Sequence, residues 1–406
     1  MTRLVWAAVF VLLLGCPGAL PQAADDAGTP STLPACPALS AEFDATQCAL
    51  VAAMALPPTL PIARGNAFAD DLAAAEFGFY NFFDVGLSRG NRQHCATCHL
   101  PEFRFQNRNP VARAEGVGFR NTPTLLNVAR LSVWFWDGSA DSLWSQPLFA
   151  FESPIEMNTT RLELAHAIGS DARRKAGYER AFGALPELSN SARFPPIGKP
   201  GDAAFDGMTP ADQLTINRVA ANVGKAFEAY ERRLVTGSSR FDAYLAGDAG
   251  ALSETDRRGL SVFVSSGCLT CHGGPLATDE DFHDVGFPAR AGAPTDSGRA
   301  GGVAVRDTNP FNLQGPYADP VGDRAPRAFG PAEPGAFRTP SLRTAPGTGP
   351  YGHNGVFLAL TDVIAFHTPA GTSESDRAAL IAFLLALEGT APALPWSFWP
   401  SPPSRP

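Results

Sequence analysis

The sequence has no excess of positive charge and, after its first residues, no long hydrophobic run. Its 406 residues include 32 Lys and Arg against 40 Asp and Glu, a formal net charge of −8. This balance argues against nucleic acid or an anionic membrane as a partner, although it tolerates a basic protein partner. No segment shows the alternating pattern of a half-buried strand. The 37 Pro and 39 Gly instead predict helices joined by long ordered loops.

The N-terminus has the pattern of a secretory signal. Arg3 precedes an apolar run from Leu4 to Leu14, which is too short for a committed membrane span. We predict a signal peptide over residues 1–24, export to the periplasm and no integral membrane span. A lipid anchor at Cys16 is the alternative, which Pro17 disfavours.

Two CxxCH motifs contain four of the seven cysteines. The motifs are Cys95, Cys98 and His99, and Cys268, Cys271 and His272. CxxCH is typical of covalent c-type haem attachment, in which each cysteine sulfur bonds to a haem vinyl group and the histidine ligates the iron. A zinc site would need a fourth ligand at each motif, and a redox dithiol would not need the histidine twice. The motifs therefore predict two covalently bound c-type haems.

The cysteines outside these motifs are Cys16, Cys36 and Cys48. With Cys16 removed or lipidated, Cys36 and Cys48 remain. In an oxidising compartment these two could form a disulfide, and two free thiols are the alternative.

Helix-capping signals divide the chain into segments. The predicted helices are Asp71–Phe83, one capped by Ser139, one opened by Thr159 and Thr160, one from Thr209 to near Gly237, one opened by Ser253, one capped by Thr361 and one capped by Ser373 or Ser375. Residues 273–335 are rich in Gly, Pro and Asp and predict a long ordered loop.

The pattern predicts an all-α protein with two cytochrome-c-like haem domains and long Gly/Pro-rich loops. We place an N-terminal extension at residues 25–68, an N-terminal haem domain at 69–238 and a C-terminal haem domain at 239–390. Residues 391–406 form a Pro-rich tail.

The stretch RNTPTLLNVARLSVWFWDGSADSLWSQPLFAFESPIEMN closely resembles the bacterial diheme cytochrome c peroxidase and MauG family. CHGG, FHDVG, FRTPSLR and PYGHNG in the second half resemble the same family. The resemblance implies that hydrogen peroxide reacts at the N-terminal haem and that the C-terminal haem stores or receives electrons. It also implies a protein electron donor or protein substrate, and relatives are often homodimers.

The resemblance assigns roles to single residues. Trp136 matches the tryptophan that mediates electron exchange between the haems, and Gln146 and Glu156 match the polar pair of the peroxide pocket. The residues that match a calcium site are Asn121, Thr348 and Pro350, which would supply hard oxygen donors. Glu156 also suits its role chemically, because a carboxylate in an apolar setting can move the peroxide proton.

The iron ligands depart from the usual family pattern. Many relatives have a histidine in the loop after the first motif, whereas residues 100–120 contain neither histidine nor methionine. Glu115 would be an unusual ligand, so we expect an open sixth position opposite His99. At the second haem the family's distal ligand position falls on His367, where classical peroxidases have Met and MauG has Tyr. The alternative is that His367 only packs on its helix.

Imidazole is a stronger donor than a thioether and lowers the haem potential. The ligand pattern therefore favours a peroxide-dependent enzyme that oxidises a protein partner in the manner of MauG. One alternative is a classical peroxidase that takes electrons from a small cytochrome. A second is a non-enzymatic electron-transfer cytochrome with both irons closed.

Overall fold

The computed structural model describes residues 43–392 and 395–396. The predicted signal peptide, the candidate anchor Cys16 and most of the Pro-rich tail lie outside the described residues. Cys48 is buried and its thiol is free, but its predicted partner Cys36 lies outside them too. None of the described helices is long and apolar enough to cross a membrane.

The described chain is mostly helical, which confirms the all-α prediction. Its helices are α1 (Ala45–Ala52), α2 (Leu72–Phe83), α3 (Gln146–Glu152), α4 (Arg161–Ser170), α5 (Ala172–Phe182), α6 (Ala203–Asp206), α7 (Pro210–Glu231), α8 (Arg240–Leu245), α9 (Glu254–Ser265), α10 (Leu269–His272), α11 (Arg299–Thr308), α12 (Leu360–His367) and α13 (Glu374–Ala386). Two short strands, β1 (Phe282–His283) and β2 (Phe337–Arg338), pair antiparallel with Phe282 opposite Arg338.

Most predicted helix starts are confirmed, because the capping side chain and the amide it accepts from lie in one turn. Thr160 accepts a hydrogen bond from the backbone of Glu163 and begins α4. Ser253 forms the same reciprocal cap with Asp256 at the start of α9. At α7 and α13 the Thr209 and Ser373 side chains accept from the amides of Asp212 and Asp376, without the reciprocal bond.

The predicted helix at Ser139 is wrong. Asp137 accepts a hydrogen bond from the Ser139 amide at 3.0 Å, and the Trp134 amide donates to Ala140. These bonds hold the segment in a bent, non-helical path, and the helix begins only at Gln146. Smaller corrections concern α7, which ends at Glu231, and α12, which is capped at Ala359 rather than Thr361. The predicted loop over 273–335 contains β1 and α11.

The two largest hydrophobic clusters among the described residues form separate cores. The first joins α2, α4 and α7, and Phe82, Leu162 and Phe227 are among its buried residues. The second joins α1, α8, α9 and α13, with Phe263 and Phe383 at its centre. Two cores are consistent with two haem domains, whose boundaries remain a prediction.

Residues 309–325, which follow α11, pack on the first core. Phe311 and Tyr317 of this segment are buried there. Lys225 of α7 is 1 % exposed and its ammonium lies 2.7 Å from the Asp319 carboxylate. Because a buried charge is stable only when it is paired, this ion pair fixes the segment against α7.

Glu228 is a buried carboxyl next to this ion pair. Asn66 Nδ2 donates to its Oε2 at 3.0 Å. Burial raises the pKa of Glu228 to about 7, against the opposing effects of the Asn66 hydrogen bond and the Arg232 charge. The carboxyl is therefore about half protonated near neutral pH, whereas an ordinary glutamate is fully ionised there.

The raised pKa of Glu228 predicts a loss of stability with rising pH. Below the ordinary glutamate pKa both states hold the proton and the pH has no effect through this group. Between about 4.5 and about 7 the unfolded chain releases the proton first, so the free energy of unfolding falls. The full loss above that range is on the order of 3 kcal/mol.

Glu228→Gln should remove most of this dependence, because the amide oxygen still accepts from Asn66. Thermal unfolding of the haem-loaded protein at about pH 5 and about pH 8 measures it. Compared with the parent chain, the variant should unfold at a higher temperature only at the higher pH. Glu76→Gln, which alters an exposed ion pair with Arg180, is the control. An unchanged pH dependence in Glu228→Gln would contradict the prediction.

Candidate active site

The first CxxCH motif is wound into a tight turn. The 3₁₀ turn Cys95–Thr97 is followed by a hydrogen bond from the His99 amide to the Cys95 carbonyl at 2.9 Å. The next loop returns through a left-handed Phe105 (φ 55°), whose carbonyl accepts from His99 Nδ1 at 2.8 Å. Burial lowers the His99 pKa to about 4. The imidazole is therefore neutral, and the backbone of Pro123 is a second hydrogen-bond partner beside Phe105. With the proton on Nδ1, Nε2 is the ring nitrogen that would bind a metal.

The second motif repeats this arrangement on α10. The His272 amide donates to the Cys268 carbonyl at 2.8 Å, and His272 Nδ1 donates to the Ala277 carbonyl at 3.1 Å. Ala277 also has a left-handed backbone (φ 51°). Burial lowers the pKa of His272 to about 4. In both motifs a loop carbonyl thus orients the imidazole through its Nδ1.

A cavity of about 400 Å³ lies over the second motif. Cys268, Cys271 and His272 line it together with mostly apolar side chains from α9, α12 and α13. Two thiols and one oriented imidazole on the wall of an apolar cavity fit a covalently attached haem.

The alternative of zinc fits poorly. Among the described residues one group of three potential metal ligands lies together, Cys271, Asp279 and His283, within 4.8 Å. This group leaves out Cys268 and His272, and His283 is already paired with Asp279 at 2.8 Å. Within the described part of the chain no comparable group surrounds the first motif. Zinc would therefore lack a complete ligand set at either motif.

His367 is the last residue of α12 and lines the same cavity as His272. Its Nδ1 donates to the Val363 carbonyl at 2.8 Å, so its Nε2 is also free to bind a metal. The ring packs against Phe287 and Phe366. Sequence and structure thus bring His272 and His367 to one cavity, as expected for two axial ligands.

Trp136 lies in the wall of this cavity. Its indole Nε1 donates to the Asn121 carbonyl at 2.9 Å, and its own carbonyl accepts from the Arg338 amide at 2.7 Å. Asn121 belongs to the loop that follows the first motif. Trp136 therefore connects that loop to the wall of the His272 cavity, and its role in electron exchange stays a prediction.

Gln146 and Glu156 are placed by α3. Gln146 is the first residue of this helix, and Glu156 lies in the turn after it, with its amide bonded to the Ser153 carbonyl at 3.1 Å. Burial raises the pKa of Glu156. Burial, and to a smaller extent the charge of Glu156, raises the pKa of the Cys98 thiol to about 11. The structure thus brings Glu156 to the first motif, and Gln146 begins the helix that ends just before the turn carrying Glu156.

Glu115 is engaged elsewhere. Arg92 Nε donates to its Oε1 at 3.0 Å, and Gln93 donates to the same oxygen at 3.2 Å. The pKa of Glu115 is lowered by the Arg92 hydrogen bond. This pairing makes Glu115 a poor candidate for an iron ligand.

Asn121, Thr348 and Pro350, predicted to bind calcium, lie along one side of the cavity. Asn121 Nδ2 donates to two backbone carbonyls at 3.3 Å, which leaves its Oδ1 for another partner. Gln106 was missed by the sequence reasoning. Its amide nitrogen donates to the Gly349 carbonyl at 3.2 Å, while its buried Oε1 has no partner among the described residues. These oxygens fit a hard cation such as calcium.

Comparison with known proteins agrees with these features. A sequence model described as di-haem cytochrome c peroxidase matches residues 73–250. MauG of Methylorubrum extorquens is 30 % identical over 385 residues, which cover 88 % of this chain and 92 % of that protein. Cytochrome c551 peroxidase of Pseudomonas aeruginosa is 29 % identical over 335 residues, or 80 % and 82 % of the two chains.

Solved structures share the fold. A MauG-like protein associated with microbial copper homeostasis superposes with a TM-score of 0.60 at 21 % identity, covering 84 % of this chain and 97 % of that one. The diheme peroxidase BthA from Burkholderia thailandensis gives 0.58 at 22 %, covering 82 % and 94 %. Given its similarity over most of the length of these relatives, the chain belongs to the diheme cytochrome c peroxidase and MauG family and is a peroxidase-type oxidoreductase.

Proposed function

We propose that this protein is an exported diheme enzyme that reacts with hydrogen peroxide at the His99 haem. The oxidising equivalents then pass by way of Trp136 and the His272 haem to a protein partner. The observation that carries this proposal is His367, which lines the His272 cavity with its Nε2 free. A second imidazole in place of a thioether favours the higher oxidation states of iron.

The haem, when bound, supplies the electrons that cleave the peroxide bond. The chain supplies proton movement. With a haem held at His99, Glu156 would take a proton from one peroxide oxygen and return it to the other, which would leave as water. The raised pKa of Glu156 suits a group that must both accept and return a proton. Gln146 orients the peroxide through its amide. Reduction of one peroxide to two waters consumes two electrons and two protons, and the partner provides the electrons.

Exposed apolar side chains near the His272 cavity are evidence for a macromolecular partner. Phe366 is 40 % exposed and packs against Phe287 and Phe357. Leu358, the next residue after Phe357, is 72 % exposed. Exposed apolar side chains grouped in this way are typical of protein interfaces. The partner would thus approach the haem that delivers oxidising equivalents.

A small cytochrome is the rival partner. The net charge of −8 suits a basic electron carrier, because opposite charges speed association. In that function the same peroxide chemistry draws electrons from the carrier. Steady turnover of peroxide with a reduced basic cytochrome would favour the rival over oxidation of a residue in a protein substrate.

The state of the His99 iron tests the proposal. We expect electron paramagnetic resonance of the all-ferric protein to show one high-spin and one low-spin haem. The protein should then react with peroxide at once, without prior reduction. Two low-spin signals with no high-spin component would contradict it. Another side chain would then close the site, and the electron-transfer cytochrome would become the better hypothesis.

A further inference from the structure

We propose that Arg338 binds a carboxylate of the haem attached at Cys268 and Cys271, and that its charge helps set the reduction potential of that haem. The proposal needs a haem at His272, as the proposed function does. It does not depend on whether the His99 haem reacts with peroxide.

Arg338 is a buried cation on the cavity wall. It is the second residue of β2 and is 7 % exposed. Its Nε donates to the Phe135 carbonyl at 3.3 Å, and its Nη1 donates to the Thr339 carbonyl at 3.4 Å. Of the described residues that line the cavity, Arg338 is the only arginine or lysine.

The charge of Glu280 opposes the effect of burial on the Arg338 pKa, but the Glu280 carboxylate is already paired. Glu280 accepts from the Ser132 amide at 2.6 Å and lies 3.1 Å from Arg327. Asp284, the acidic residue that lines the cavity with Arg338, accepts from the Gly286 amide at 2.9 Å. Within the described part of the chain, no carboxylate lies within ion-pair distance of Arg338. Its protein partners are therefore neutral carbonyls.

A buried guanidinium without an anion is unfavourable, and burial lowers the pKa of Arg338. A covalently attached c-type haem brings two carboxylates into a cavity that is otherwise mostly apolar. The planar guanidinium is suited to bind them in a bidentate manner. The uncompensated cation and the incoming anion thus complement each other.

The same residue is tied to Trp136. The Arg338 amide donates to the Trp136 carbonyl at 2.7 Å, and the side chain reaches the carbonyl of Phe135 just before it. β2 itself is held by pairing with Phe282 and His283. A haem carboxylate on Arg338 would therefore fix the cofactor relative to the tryptophan proposed to exchange electrons with it.

Arg338→Met and Arg338→Lys test the assignment in the protein carrying both haems. Loss of the positive charge disfavours the ferrous state. The Met variant should therefore shift the ferric/ferrous equilibrium of the low-spin haem toward ferric by about tenfold, about 59 mV for one electron. The Lys variant keeps the charge and should stay within about threefold. Both should alter the propionate bending bands of that haem in the resonance Raman spectrum.

Arg299→Gln is the matched control. Arg299 is also buried and donates to backbone carbonyls, those of Asp137 and Gly138, but it does not line the cavity. Its loss should leave the potential and the Raman bands unchanged. If Arg338→Met fails to incorporate haem, the bands of the Lys variant decide. Propionate bands unchanged in the Arg338 variants, or changed equally in Arg299→Gln, would overturn the assignment.

Discussion

Replacing Glu156 with glutamine should slow the reaction with peroxide by roughly two to four orders of magnitude, the usual contribution of general acid–base catalysis. The amide keeps the size of the side chain but cannot accept and return a proton. Burial raises the pKa of the Glu156 carboxyl, so the rate of the parent enzyme should rise with pH as this group loses its proton. The variant should lose that dependence while keeping both haems.

Stopped-flow spectroscopy after mixing with peroxide measures the rate. Glu152→Gln is the matched control, because Glu152 ends the helix that Gln146 begins, and its carboxylate is paired with Arg161 at 2.8 Å. Glu152→Gln should react at nearly the parent rate. Near-normal kinetics in Glu156→Gln, or an equal loss in both variants, would remove Glu156 from the mechanism.

The helices were predictable from sequence where their signals are local. A capping hydroxyl such as Thr209 or Ser253 and the amide that it accepts from lie three residues apart, so the pattern and the structure coincide. The predicted helix at Ser139 does not form there, and the Ser139 amide instead donates a hydrogen bond to the Asp137 carboxylate. That hydrogen bond depends on side-chain geometry, which the sequence does not display.

The paired strands could not be predicted in this way. β1 and β2 have two residues each, too few for an alternating pattern, and more than fifty residues separate them. Their pairing positions Arg338 beside the cavity. The same limit applies to residues 309–325, whose contact with α7 rests on the Lys225–Asp319 ion pair.

The haem motifs were readable because their chemistry lies within five residues of chain. Two other features could not be predicted from the sequence: among the described residues the Gln106 Oε1 has no hydrogen-bond partner, and the Arg338 guanidinium has no ion-pair partner. Whether a polar group lacks a partner depends on which distant groups are already engaged, as Glu280 is with Arg327. Such features appear only when the chain is folded.

Replacing His367 with alanine should convert the His272 haem from low spin to high spin. Two other histidines line the cavity and could compete as ligands. His283 Nε2 is bonded to Asp279 at 2.8 Å, and the His353 ring stacks on Phe337 with centroids 3.5 Å apart. His367 Nδ1 is held by a carbonyl, which leaves Nε2 for iron.

Optical and electron paramagnetic resonance spectra of the ferric protein measure the change. The controls are His283→Gln and His353→Gln, in which the His272 haem should remain low spin. Added imidazole should restore the low-spin spectrum of His367→Ala, because it occupies the vacated coordination position. His367→Met should also be low spin but with a higher potential, since a thioether favours ferrous iron. A low-spin His272 haem in His367→Ala without added imidazole would show that another group binds the iron, and the argument for oxidation of a protein partner would lose its main support.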